Sequence, residues 1–125
     1  MPHLTAGSAR EFEVHGVAFR SFAATATGAA ELGAWCAEFS PGTPGVPHRM
    51  SQEEVLFVVD GELDVEIDAE RFVAAAGDAI LVPVGALFRI SNAADRPARA
   101  WVTTTLGMAA TIEQSGERMA PPWAQ

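Results

Sequence analysis

The chain predicts an all-β domain, a sandwich or barrel of short strands, and two observations carry that prediction. Apolar or alternating runs recur at intervals of about ten residues, each closed by a Gly, Pro, Asp or Asn turn. No segment of useful length shows the helical period; residues 111–118 have room for a turn or two. The composition agrees: 125 residues with 49% hydrophobic and 19% charged side chains make one globular domain. Such a chain buries about two-thirds of its unfolded surface in a single core.

Residues 1–10 read as a loose N-terminal arm. Residues 11–22 alternate, with Phe12 and Val14, then Val17 and Phe19, around His15-Gly16. This gives two short strands or one bent strand, with His15 a solvated turn residue. Residues 23–30 are small and Thr/Gly-rich, a loop. Over Leu32–Phe39 the alternation sets Trp35, Ala37 and Phe39 on one face and Cys36 and Glu38 on the other. Ser40-Pro41-Gly42 ends that strand.

His48 and Met50 stand two residues apart, so an extended backbone sends both side chains to the same face and Arg49 to the opposite one. From Glu54 the run Val55-Leu56-Phe57-Val58-Val59 is continuously apolar, as in a strand covered on both sides, while Glu53 is solvated. Asp60-Gly61 is the strongest short hairpin signal, and Glu62–Ile67 returns with clean alternation. On this reading a histidine and a carboxylate are carried by strands of one small sheet.

Residues 68–70 turn into a strand at 71–74, and Ala76-Gly77-Asp78 turns again into Ala79–Val82, which Pro83-Val84-Gly85 breaks. Further strands are expected at 87–91 and, after a polar turn, at 98–106, where Trp101, Thr103 and Thr105 share a face. The chain is thus one domain, 1–125, with an arm at 1–10, a barrel at 11–106 and a tail at 107–125. A buried Trp123 would tie that tail to the barrel or to a neighbouring subunit.

Composition also removes functions. A net charge of −8 argues against nucleic acid, since nothing here neutralises a row of phosphates. All eight basic residues are arginine, with no lysine or tyrosine, so Schiff-base chemistry, a P-loop lysine and phenolic acid catalysis are excluded. Nothing resembles a secretory signal or a transmembrane segment, and the expected location is the cytoplasm. The single cysteine, Cys36, allows no internal disulfide and reads as a small core hydrophobe.

Two spaced patterns remain. Gly42-x5-His48-x-Met50-x3-Glu54-x6-Gly61 resembles the first cupin motif, G-x5-H-x-H-x3-E-x6-G. Gly77-x5-Pro83-x-Gly85-x2-Phe88-x3-Asn92 resembles the second, G-x5-P-x-G-x2-H-x3-N. Four of the five marked positions match in each, in the right order. The resemblance implies a single cupin-type antiparallel β-barrel, a jelly roll, with little helix. It also implies packing as a homodimer.

In metal-bearing cupins two histidines and the glutamate of the first motif, with the histidine of the second, hold a transition metal. Here His48 and Glu54 occupy two of those positions, and Met50 and Phe88 the other two. Phenylalanine cannot ligate, and a thioether suits Cu(I) rather than Fe(II), Mn(II) or Zn(II). The expectation is therefore no cofactor, the alternative being one weakly bound transition metal on His48 and Glu54 in an oxygenase or isomerase. Without a metal, the resemblance has His48 and Glu54 converge as a catalytic acid/base pair for isomerase, lyase or cyclase chemistry on a small, largely apolar metabolite. Met50, Leu56, Phe88, Ile90, Trp35 and Trp101 are the expected ligand-binding residues. A further alternative is a non-catalytic sensing or interaction protein on the same barrel.

Overall fold

The structure, a computed structural model, describes residues 2–125. Strand β1 (Arg10–Val14) turns at His15-Gly16 into β2 (Val17–Ala23). Both turn residues have positive φ, 49° and 86°, which matches the right-handed twist of a two-residue hairpin. Then follow β3 (Leu32–Phe39), β4 (His48–Met50), β5 (Glu54–Asp60) and β6 (Glu62–Ile67). The remaining strands are β7 (Glu70–Ala75), β8 (Ala79–Val82), β9 (Phe88–Ser91), β10 (Ala98–Thr105), β11 (Ala110–Ile112) and β12 (Arg118–Met119).

They form two six-stranded antiparallel sheets, ordered β1-β2-β3-β10-β5-β8 and β12-β11-β4-β9-β6-β7. Alternation along each strand turns one side inward, so the facing sides enclose a core that includes Phe39, Leu56, Leu63, Ile80, Phe88 and Val102. This is the all-β jelly roll that the sequence predicts.

Two expectations fail in informative ways. Asp60-Gly61 does not close a hairpin: β5 lies in the first sheet and β6 in the second, so the chain crosses between sheets here. Gly61 has φ 76°, and a Cβ on it would stand 2.8 Å from the Pro97 carbonyl oxygen and 2.9 Å from Ala98 Cα. Glycine is needed for a close crossing as much as for a turn. Nor is β5 covered on both sides by its own chain. Leu56 and Val58 are buried, while Val55, Phe57 and Val59 are 42–47% exposed on the outer face.

The tail is also more ordered than a turn or two of helix. β11 pairs with β4 and β12 with β11, so residues 107–125 extend the second sheet. Beyond them Trp123 is buried, its ring stacked on Phe19 at 3.7 Å and 5°. Ser21 Oγ donates to the Trp123 carbonyl at 2.6 Å, and Arg10 Nη2 donates to the Gln125 backbone carbonyl oxygen at 3.1 Å. Asn92 fixes the turn before β10. It is fully buried, its amide donates to the carbonyls of Phe39 and Arg96, and its Oδ1 accepts from Ala94 N–H.

Candidate functional site: a cavity between the sheets

A cavity of about 420 Å³ opens between the two sheets. Glu54 enters it from the first sheet, at the head of β5, where its backbone pairs with Thr104 on one side and Val82 on the other. Thr104 Oγ1 donates to the Glu53 carbonyl at 2.7 Å, which pins the start of that strand. His48 enters from the second sheet on β4, paired with Phe88 on β9 and Ile112 on β11. The two groups are carried by opposite sheets rather than by one.

The histidine is held in one tautomer. Its Nδ1 lies 2.7 Å from the Val46 carbonyl oxygen. A carbonyl only accepts, so the ring proton sits on Nδ1 and Nε2 keeps a free lone pair. The ring meets Phe88 edge-on, with centroids 5.4 Å apart. Burial pulls the pKa of His48 below the ordinary histidine value, opposed by the Val46 hydrogen bond, and favours the neutral ring.

Glu54 is 5% exposed, and burial alone pushes its pKa up to about 8. Among the described residues no group donates a hydrogen bond to its carboxyl, and no His48 nitrogen lies within ion-pair distance of it. The expected convergence into a mutually relieving pair is therefore absent. Each group keeps an unpartnered functional atom instead: Nε2 on His48 and the carboxyl of Glu54.

Trp35, Met50, Leu56, Phe88 and Ile90 line the cavity. Trp101 does not. The parity of β10 turns Ala98, Ala100, Val102 and Thr104 inward, which leaves Trp101 38% exposed on the outer face against Phe22, 5.6 Å between rings. Its inward neighbour Val102 lines the cavity in its place. Cys36 and Glu38 likewise sit on the outer face of β3. Burial raises the Cys36 thiol, against the opposing pull of Arg99 and Arg20.

Many of the lining residues that sequence reasoning left out come from the two ends of the chain: Val14, Val17 and Phe19 from the first hairpin, and Met108, Met119 and Trp123 from the tail. Met50, Ala110 and Met119 form one cross-strand row through β4, β11 and β12. The alternation Met119-Pro121-Trp123 was the available signal, since all three face the cavity.

The donor set does not fit a tightly held transition metal. Inside the cavity one imidazole and one carboxylate are joined only by thioethers, with His15 and Glu117 exposed where it opens, short of the three hard ligands a catalytic site keeps. Among the described residues no group of three or more His, Cys, Asp or Glu side chains is placed to hold a metal ion.

Two antiparallel sheets facing each other across an internal cavity are the architecture of a jelly-roll β-barrel. The cupin-domain family model matches residues 35–104, more than half of the chain, and the chain belongs to the cupin family. No curated protein sequence matches it. Solved structures share the fold at low identity. The polyketide cyclase RemF of Streptomyces resistomycificus is 19% identical, with TM-score 0.75, covering 84% of this chain and 79% of that one. A sugar phosphate isomerase of the cupin superfamily from Silicibacter pomeroyi is 20% identical, with TM-score 0.76, covering 94% and 85%. KdgF of a Halomonas species is 20% identical, with TM-score 0.71, covering 82% and 92%. No helix among the described residues is long and apolar enough to cross a membrane.

Proposed function

We propose that this cupin binds a small, largely apolar organic metabolite between its sheets and performs metal-independent proton transfer on it. One observation carries the reading: Glu54 and His48 face a shared apolar cavity, each with an unpartnered functional atom. In the neutral range the carboxyl is protonated and donates, and Nε2 is bare and accepts. An acid on one side of a ligand and a base on the other is the arrangement that isomerisation, elimination or cyclisation needs. Cyclase and isomerase chemistry among proteins of this fold is compatible with the proposal.

Trp35 and Trp123 line the cavity, so their fluorescence reports occupancy. Glu54→Gln keeps the shape and an N–H donor but cannot give up a proton, and it should abolish turnover. Turnover should also follow a bell in pH. Its acid limb lies below the ordinary histidine value of 6.5, and its alkaline limb lies near about 8. A Glu54→Gln protein with unchanged turnover would defeat the proposal.

The same proposal includes a homodimer in a reducing cytoplasm. Val55, Phe57, Val59, Leu81 and Trp101 share the outer face of the first sheet. The second sheet carries Asp64, Glu66, Arg71 and Arg89 on its strands instead. Apolar side chains gathered on one exposed sheet face support an interaction surface there. Its rim holds both signs, Arg99 with Asp60 and Arg20 with Glu11, which a two-fold copy can pair reciprocally. A sedimentation mass of twice the 13.2 kDa chain, lost in Phe57→Glu, is the expected result; a monomer mass for the wild type overturns it.

A further inference from the structure

The chemistry of the cavity wall restricts the ligand further than its size does. Of the eight arginines in the chain none lines the cavity, and the chain has no lysine. The ionisable lining groups are His15, His48, Glu54 and Glu117. His15, Ser115 and Glu117 are exposed and mark the open end, while Glu54 is buried. Between them the wall is aromatic and thioether: Trp35, Phe39, Phe88 and Trp123, with Met50 and Met108.

We propose that the cavity selects an uncharged, flat aromatic ligand bearing a carbonyl oxygen and a hydroxyl group. The carbonyl accepts from the Glu54 carboxylic acid on one sheet, and the hydroxyl donates to His48 Nε2 on the other. The proposal rests on the reading of His48 and Glu54 as the working pair.

Two considerations exclude the other charge classes. A phosphate or carboxylate would lose its water inside this wall and find no permanent cation, and it would have to force a proton onto the buried His48, at a cost that apolar contacts do not return. An organic cation would have to strip the proton from Glu54 and carry a full ion pair into an apolar chamber. A neutral ligand with one acceptor and one donor leaves both side chains in the states that they already hold. Aromatic walls favour a flat ring system, whose faces and edges they can contact, over a hydrated sugar with many hydroxyls to satisfy. The volume of about 420 Å³ falls in the range of small-molecule pockets.

The test uses three naphthalene probes of one shape: hydroxyacetonaphthone (neutral), hydroxynaphthoate (anionic) and naphthylmethyl-trimethylammonium (cationic). Tryptophan quenching gives affinity. Calorimetry near neutral pH, in two buffers of different ionisation enthalpy, gives proton exchange. The neutral ketone should bind at least about tenfold more tightly than either charged probe, one hydrogen bond's worth, with no net proton exchanged. Glu54→Leu removes the donor and should cost about tenfold, whereas Glu54→Gln, which retains an N–H donor, should keep most of the affinity. His48→Asn should weaken the ketone as well.

Tighter binding of the ammonium probe, with about one proton released and affinity lost in Glu54→Gln, overturns the ligand class but leaves the cavity and its acid intact. Equal or tighter binding of the naphthoate does the same. Should no probe quench, or should quenching be indifferent to Glu54→Leu and His48→Asn alike, the underlying assignment of the pair falls with the proposal. Circular dichroism and a cooperative urea transition identify variants that remain folded.

Discussion

Replacing Glu54 by Gln separates the cost of a buried acid from every other titration in the protein. The folded-state pKa is raised, from an ordinary 4.5 to about 8. The stability that Glu54 contributes by its proton is therefore fully present below 4.5 and is lost as pH rises through about 8. Loss proceeds at about 1.4 kcal/mol per pH unit across that window, which amounts to about 4 kcal/mol between about pH 5 and about pH 9. With a urea m-value of about 2 kcal/mol/M, the wild-type midpoint should fall by about 2 M from this group alone. Glutamine is nearly isosteric with the protonated acid, so the two proteins should unfold at similar urea concentrations at the acid end. At the alkaline end the variant should be the more stable. The assay is urea unfolding followed by tryptophan fluorescence at a series of pH values, and the quantity read is the difference between the proteins. All other groups titrate in both and cancel. If wild type and variant lose the same stability across this range, Glu54 titrates as a solvated carboxylate and the neutral-acid reading is wrong.

His48 has the opposite sign. Its lowered pKa makes it a source of stability present above 6.5 and lost as pH falls through its folded-state value, so His48→Asn should flatten the acid side of the stability profile in the same urea series. Trp123→Ala removes a buried ring stacked on Phe19 and should cost about 3–5 kcal/mol, read as a lower urea midpoint with cooperativity kept. Gly61→Ala forces a Cβ against Pro97 and Ala98 at positive φ and should lose at least about 1–3 kcal/mol; Gly77→Ala, with open space at its Cβ position, should lose less by the same measurement.

The legible parts of the fold were those written in local chemistry. Gly77, Pro83, Gly85 and Asn92 announce turns because each supplies something a turn needs within a few residues of itself. Asn92 bonds Arg96 and Ala94 across its own turn. What local chemistry does not encode is which sheet a strand joins. Asp60-Gly61 has the composition of a hairpin, and its use as a crossing is decided by the Pro97–Ala98 backbone, far along the chain. Trp101 fails for a related reason. Its shared face with Thr103 and Thr105 was read correctly, but the inner side went to the smaller Ala100 and Val102. Beside a ligand cavity, residue size does not choose the face; the packing across the sheet does. In the tail, β11 and β12 are three and two residues long, too short for alternation within either strand to announce it.

The same two substitutions that depart from the cupin ligand pattern explain the electrostatics of what is left. A carboxylate that ligates a cation is held ionised by it, because the opposite charge repays its lost hydration. Met50 and Phe88, buried beside the cavity, supply neither a hard ligand nor a hydrogen-bond donor able to hold Glu54 ionised. Phe88 instead sets its ring against His48, and Met50 adds thioether surface. Desolvation is then the only force acting on the acid, and it drives the group to the protonated form. Replacing either residue by histidine therefore makes a definite prediction: Phe88→His should bring a titrating nitrogen beside His48 and the cavity. If it comes within reach of Glu54, the carboxyl pKa should fall from about 8, detectable as a downward move of the alkaline stability limb. An unmoved limb, in a protein shown to be folded, would place the new imidazole out of reach of the carboxyl. The acid of this cavity would then be set by the walls around Glu54 and not by the position that Phe88 occupies.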